Sequence, residues 1–313
     1  MGIFDFFGGG SSAEKALKLK PKVTQKYGDA ANRQKAIQQL GEMHTPDAVA
    51  VLMARFTLTV DPQTTDANEK EDVFSYITSM GDLTAPLEAF NKKKGTSLSG
   101  QQLRDATRAM RSHGLAKGQV NRDELAQAVA AAANASPAEV KELSEALALE
   151  IESIHKVKDF LRKSDQASSW AVRVLETMLD ADEVIGIVTE ELHRLGTEYT
   201  RDPEKKEVLL HFVEGKGDPR IPPEVVLLLE DMSDDVKIAA LKALGPIAYE
   251  PAREKILELL THDETAKRVQ TAAIAALHES KFTVQGYREK VEKRLSDPWY
   301  LDGSGAVKKR GGS

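Results

Sequence analysis

Residues 236–244 read VKIAALKAL, and residues 269–277 read VQTAAIAAL. Both open on valine, carry an Ala-Ala pair followed by a large aliphatic residue, and close on Ala-Leu. In the first copy Val236, Ala240, Leu241 and Leu244 fall at i, i+4, i+5 and i+8, which is one face of a helix. Ala239 and Ala240 are small, so a neighbouring helix can come close. A polar turn precedes each copy, Ser233-Asp234-Asp235 and Asp263-Glu264-Thr265, and is expected to supply N-cap oxygens. A shorter apolar helix is expected before each turn, over 224–230 and 252–260. Helix, turn, helix and a break at Gly245-Pro246 make one unit. Self-similarity of this kind belongs to helical hairpins that bury their faces only by stacking.

The same second-helix face recurs upstream. Ala36, Ile37, Leu40 and Gly41 superpose on Ala240, Leu241, Leu244 and Gly245, and Phe74, Ile77, Met80 and Gly81 repeat the arrangement. Trp170, Val174, Leu175 and Met178 give a fourth copy, and Val208, Leu209 and Phe212 a fifth. About six units are therefore expected.

The ALKALG stretch at residues 240–245, preceded by Asp-Asp-Val, resembles the second helix of HEAT and HEAT-like repeats of the PBS-lyase type in bacterial proteins. The resemblance covers roughly residues 12–90 and 161–298, and His278 and Phe212 depart from its usual glycine or leucine. It implies an all-α, right-handed α-solenoid of about six HEAT-like hairpins. It also implies a curved scaffold that binds proteins or nucleic acid rather than an enzyme.

Between residues 91 and 160 the period fails. Removing that stretch joins TAPLEAF to LRKSDQASSWAVRVLETML, which reads as a complete hairpin, so the stretch is an expected inserted module. Capping-box patterns at Ser99–Gln102, Asn121–Glu124 and Ser136–Glu139 predict three helices in it. The third is long, with Val140, Leu143, Leu147, Ile151, Ile154 and Val157 on one side, and it is expected to run on through Phe160 and Leu161. The first half resembles a degenerate EF-hand in layout, with Gly118, Val120 and Glu124 suitably spaced. Its first ligand positions hold His113, Leu115 and Lys117, which give calcium no ring of hard oxygens, so calcium binding is not expected.

Composition narrows the function classes. A formal net charge of −6 argues against a general nucleic-acid binder, which needs a surplus of Lys and Arg. With no cysteine there is no disulfide, thiolate metal site or cysteine nucleophile, which fits a reducing compartment. No apolar run approaches a membrane span, residues 126–135 being too short. The first residues lack the basic and apolar regions of a signal peptide, and Phe6 stands where a myristoylation motif needs Ser or Thr. A cytoplasmic location is expected.

Chemistry-bearing patterns are sparse. Seven histidines are scattered without ligand spacing on one helix. His278-Glu279 is a lone His-Glu dyad of a kind that HEAT-like di-iron hydroxylases use in sets, and a helix end is the simpler reading. HEAT-like DNA glycosylases use a basic groove with aromatics and an acid; Trp170 is expected in packing instead, and Trp299 and Tyr300 beyond the last helix. No catalytic residue, cofactor site or metal site is expected.

Binding is expected on the exposed side of the second helices, at Arg33, Gln34, Gln38, Ser75, Arg173, His211, Lys237 and Lys242, for a protein partner. A second surface is suggested by two similar connections, Thr59-Val60-Asp61-Pro62 and Thr200-Arg201-Asp202-Pro203, each leading into a charged helix start. Asp61, Glu69, Arg201, Asp202 and Glu204 then form a recognition ridge, unless the echo reflects only duplication and helix capping. The aromatic segment 1–11, with Ile3, Phe4, Phe6 and Phe7 before Lys15, Lys18, Lys20, Lys22 and Lys26, leaves two readings open. It folds over the first repeat, or it touches anionic membrane or a partner groove. The tail 299–313 reads as disordered, its Lys308-Lys309-Arg310 set among glycines and serines.

Overall fold

The computed structural model describes residues 11–198 and 203–311. The described chain is all-α apart from one two-stranded hairpin. It divides into two compact units, Met1–Leu179 and Asp180–Ser313. The division falls inside the stretch 161–298 expected as one run of repeats.

The first unit holds α1 (Ser12–Val23), α2 (Ala30–Glu42), α3 (Pro46–Met53), α4 (Gln63–Thr78), α5 (Thr84–Lys94), α6 (Gly100–Lys117), α7 (Arg122–Ala132), α8 (Lys141–Lys163) and α9 (Ser168–Met178). Local chemistry sets several of the boundaries. Ser11 and Glu14 close a full capping box on α1, Asp29 caps α2, and Thr45 with Pro46 at the first helical position starts α3. Within this unit α1, α3 and α8 pack side by side, as do α2, α4 and α9, and the two sets pair as α1 with α2, α3 with α4, and α8 with α9. Ile37, Leu40, Leu52, Ile77, Ile154 and Leu175 are fully or almost fully buried along this seam.

The second unit holds α10 (Ala181–Thr197), α11 (Glu204–Val213), α12 (Ile221–Leu227), α13 (Asp234–Leu244), α14 (Arg253–Thr261), α15 (Lys267–Ser280) and the short α16 (Arg288–Glu292). It is also built of paired helices, α10 with α11, α12 with α13 and α14 with α15. Here α11, α13 and α15 pack in succession, while α10 lies against α12. The small Ala239, Ala240 and Ala243 are buried on α13 and Ala273 and Ala276 on α15, so these two helices meet closely over the twin motifs. The six sequence copies thus lie in α2, α4, α9, α11, α13 and α15.

Three local expectations need correction. Neither Ser233 nor the residue before α15, Ala266, places a side-chain oxygen on its helix; Asp231 instead accepts the Ser233 amide. The helix that packs on α9 is α8, a single helix from Lys141 to Lys163, and α5 is a separate helix lying on it rather than its first half. The EF-hand layout also fails. His113, Leu115 and Lys117 lie within α6, and only Gly118–Asn121 separates it from α7, far short of a calcium loop of about 12 residues.

Residues 299–311 are ordered, against the expectation of a disordered tail. Strand β1 (Trp299–Leu301) pairs antiparallel with β2 (Val307–Lys309), and Ala306 and Val307 are buried. The Asp302 carboxylate accepts the amides of Ser304 and Ala306, and Gly305 takes the left-handed conformation the turn needs. His278 Nδ1 lies 2.9 Å from the Val307 carbonyl oxygen, with its ring edge-on to Trp299 at 5.2 Å. Asp302-Gly303 between two short apolar stretches was the hairpin signal, masked by the surrounding glycines and lysines.

Candidate functional site

The residues expected on the open side of the second helices divide into two groups. In the first unit Gln34, Gln38, Ser75 and Arg173 are exposed. Gln34 Nε2 donates to Asp72 Oδ2 at 2.6 Å, tying α2 to α4. Arg173 on α9 donates to both Glu71 oxygens on α4, at 2.7 and 3.2 Å. Its guanidinium lies 4.2 Å from the Phe74 ring centre and 4.9 Å from that of Trp170. Trp170 stacks in turn on Phe56 at 4.7 Å, so it serves packing and lends one edge to the surface. Gln38 bonds Glu42 within α2. The result is a polar strip braced across three helices.

Because Arg173 is half exposed, its ion pair is worth little, and the cation–π contacts add a comparable increment. Arg173→Ala is expected to lower unfolding free energy by only about 1 kcal/mol in urea denaturation. A loss above about 3 kcal/mol would place Arg173 in the core seam instead, where truncation of a large residue costs that much.

Arg33 and Glu69 are not on this surface. Both are buried, side chains 2% and 3% exposed, with Arg33 Nε donating to Glu69 Oε2 at 2.7 Å. Arg55 Nε donates to the same oxygen at 2.8 Å and Arg55 Nη2 to Asp66 Oδ1 at 2.7 Å, while Lys70 Nζ lies 2.8 Å from Asp66 Oδ2. The Gln25 and Leu58 carbonyls accept from Arg33 and Arg55, and the Val60 amide donates to Asp66. Glu69 Oε1 is buried without a hydrogen-bond partner. Burial pushes the Asp66 carboxyl up, but bonds from Lys70, Arg55 and the Val60 amide outweigh it and hold the group below its ordinary value. The cluster joins α2, α4 and the turn after α3, and it is structural.

Sequence reasoning passed over Arg55, Asp66 and Lys70, although the helical period could have found the cluster. Arg33 stands at i, i+4 and i+7 with Ile37 and Leu40, and Glu69 at i, i+4 and i+8 with Val73 and Ile77. Relative to these neighbours, the phase of both residues is inward, so the expectation of Arg33 on the exposed side and Glu69 on a turn ridge misplaced them.

The second unit shows the same device with signs reversed. Lys205 and Lys206, on the buried side of α11, pair with Glu191 of α10 and with Asp231. The echo between the two Asp-Pro connections therefore leads each time into a helix whose first turns carry inward ion pairs. Of the residues expected in a recognition ridge, Glu69 is turned inward. Asp61 and Glu204 are exposed, Glu69 is buried, and Arg201 and Asp202 lie outside the described residues, as do Phe4, Phe6 and Phe7.

His211 and Lys242 are exposed and Lys237 is half-buried. At about 100° per residue Lys237 and Lys242 diverge by about 140° around α13, so they do not share a stripe. Arg268 of α15 braces this face by bonding Asp234 and Asp235 at the start of α13. A cavity of about 580 Å³ lies between the end of α10 and residues 231–233, and its one buried amine, Lys206, is already paired with Asp231. Among the described residues no group of three or more His, Cys, Asp or Glu could hold a metal, and no helix is long and apolar enough to cross a membrane.

No family model matches the chain, and no curated protein matches it. Among solved structures, human deoxyhypusine hydroxylase in complex with glycerol is similar at 14% identity, over 86% of this chain and 96% of that one, with a TM-score of 0.33.

Proposed function

We propose that the chain is a non-enzymatic, cytoplasmic scaffold that binds a protein partner through the exposed faces of its second-layer helices. Each unit is read as a right-handed stack of three HEAT-like hairpins: α1/α2, α3/α4 and α8/α9, then α10/α11, α12/α13 and α14/α15. The cross-helix bracing supports this reading most. Gln34–Asp72 and Arg173–Glu71 in one unit, and Arg268 with Asp234 and Asp235 in the other, fix polar side chains across successive helices. A surface held in this way loses little conformational entropy on binding, which is how broad, shallow sites gain affinity. Stacked hairpins also favour recognition by shape over many positions rather than by one pocket.

Site-specific photo-crosslinking in source cells tests the proposal. A crosslinking side chain at Gln38, Ser75 or Lys242 is expected to trap one and the same protein, and added Arg173→Glu to weaken the Ser75 product. Control positions on the other layer, Ala50 and Glu190, both exposed, are expected to trap none of it. Equal trapping from Ala50 and Glu190 would exclude the second-layer faces as the binding surface.

A further inference from the structure

Helix α1 carries a surface that the scaffold reading does not use. Its inward side is set by Ala16 and Val23, both fully buried against the neighbouring helices α2 and α3. On its solvent side Leu17 is 58% exposed and Pro21, one turn on, is exposed as well. At about 100° per residue, Lys20 falls on one flank of this apolar pair and Lys18 and Lys22 on the other. Lys15 and Lys26 are also exposed, and Tyr27 is 86% exposed beside Lys26. None of the five lysines forms an ion pair among the described residues.

The local charge runs against the rest of the chain. Residues 12–28 hold five lysines and one glutamate in a protein whose formal net charge is −6. The two acids nearest in sequence are spent on helix starts: Glu14 accepts the Ser11 amide and Asp29 the Ala31 amide. A capping carboxylate keeps its charge, so residues 12–29 set five lysines against two acids and the segment stays basic.

We infer that this face of α1 docks on an anionic lipid surface, with Leu17 and Pro21 entering the headgroup boundary and the flanking lysines meeting lipid phosphates and carboxylates. Lysine stems can cover apolar surface while their ammonium groups stay in water, so a Leu-Pro centre with lysines on both flanks suits an interface between oil and water. A nucleic acid would satisfy the lysines but leave the apolar centre facing phosphate, which is why the lipid surface is favoured. The inference is independent of the protein-binding reading, since the second-layer faces lie on other helices.

Flotation of the full chain with phosphatidylcholine vesicles, with and without about 30% phosphatidylserine, is the test. Binding is expected to the anionic vesicles only, and to weaken as salt rises, because exposed charges are screened. Lys15→Glu/Lys18→Glu/Lys22→Glu leaves residues 1–10 untouched and is expected to weaken binding about a hundredfold, each lysine being worth roughly fivefold near such a surface. Leu17→Trp adds an optical readout that needs no loss of function. The fluorescence of this variant, taken as the difference from the parent, is expected to shift to the blue on adding anionic vesicles. Equal binding to neutral vesicles, unchanged binding by the triple variant, or tighter lysine-dependent binding to duplex DNA than to vesicles would each overturn the inference. So would an unshifted difference spectrum from a Leu17→Trp chain that floats with the vesicles.

Discussion

Glu69→Ala is expected to lower the unfolding free energy by about 3–5 kcal/mol, the range for removing one partner from a buried charge cluster. The physical reason is asymmetry. Glu69 Oε2 takes hydrogen bonds from both Arg33 and Arg55, whose side chains are 2% and 0% exposed. Truncation leaves the Arg33 guanidinium with the Gln25 carbonyl and no acid, and Arg55 with Asp66, already bonded to Lys70, with no water able to replace the lost carboxylate. Urea unfolding followed at Trp170, which lies in the same unit, measures the effect. A stability within about 0.5 kcal/mol of the parent, the span of an ordinary surface substitution, would mean that water reaches the cluster and solvates both guanidinium groups. The contrast with Arg173→Ala is instructive, since that pair has similar distances and far more solvent. Burial, not bond length, separates them.

The second large effect is expected at Gly81, where alanine should cost about 3 kcal/mol from the sum of left-handed strain and forced backbone separation. Gly81 sits at φ +75°, just past the end of α4. A β-carbon there would lie 2.4 Å from the Glu150 amide nitrogen and 2.5 Å from the Ala146 carbonyl oxygen, both backbone atoms of α8. Backbone cannot swing aside as a side-chain tip can, so α8 has to move as a body. Gly95→Ala provides the control, because Gly95 has φ +65° but open space around its would-be β-carbon. Its cost should stay near 1 kcal/mol, about that of the conformational part alone. If the two substitutions cost the same, the approach of α8 to Gly81 contributes nothing to stability.

These two sites show where sequence reading reached its limit. Gly81 was legible as the counterpart of Gly41 and Gly245 in the recurring pattern, but the pattern gave only that position. The reason it tolerates no side chain is the backbone of a helix some seventy residues later in the chain. Arg33 and Glu69 were legible as helix residues, and their phase with Ile37, Leu40, Val73 and Ile77 pointed inward. Only the packing of α2 on α4 showed that each had an opposite charge waiting there. A charged residue on an apolar phase is ambiguous until its partner is located, because charge alone predicts exposure and phase alone predicts burial.

The tail failed for a different reason. Its composition of glycine, serine and basic residues matches flexible segments, yet Asp302 and Gly305 make a turn, and the last long helix offers His278 to hold Val307. A three-residue strand pair has too little burial to be stable alone, so its order depends on the helix beneath it and could not be read from the tail itself.

What the sequence by itself determined is the helical class, the positions of α2, α4, α9, α11, α13 and α15, and the long continuous α8. All of these follow from a period of 3.6 in the apolar residues, which is a property of short windows. What tertiary structure decided is which charged side chains face inward, that α8 rather than α5 packs on α9, and that the C-terminal strands have a surface to rest on. Each of these depends on contacts between residues far apart in the chain. A single sequence shows the local period but not which distant element will arrive to meet it.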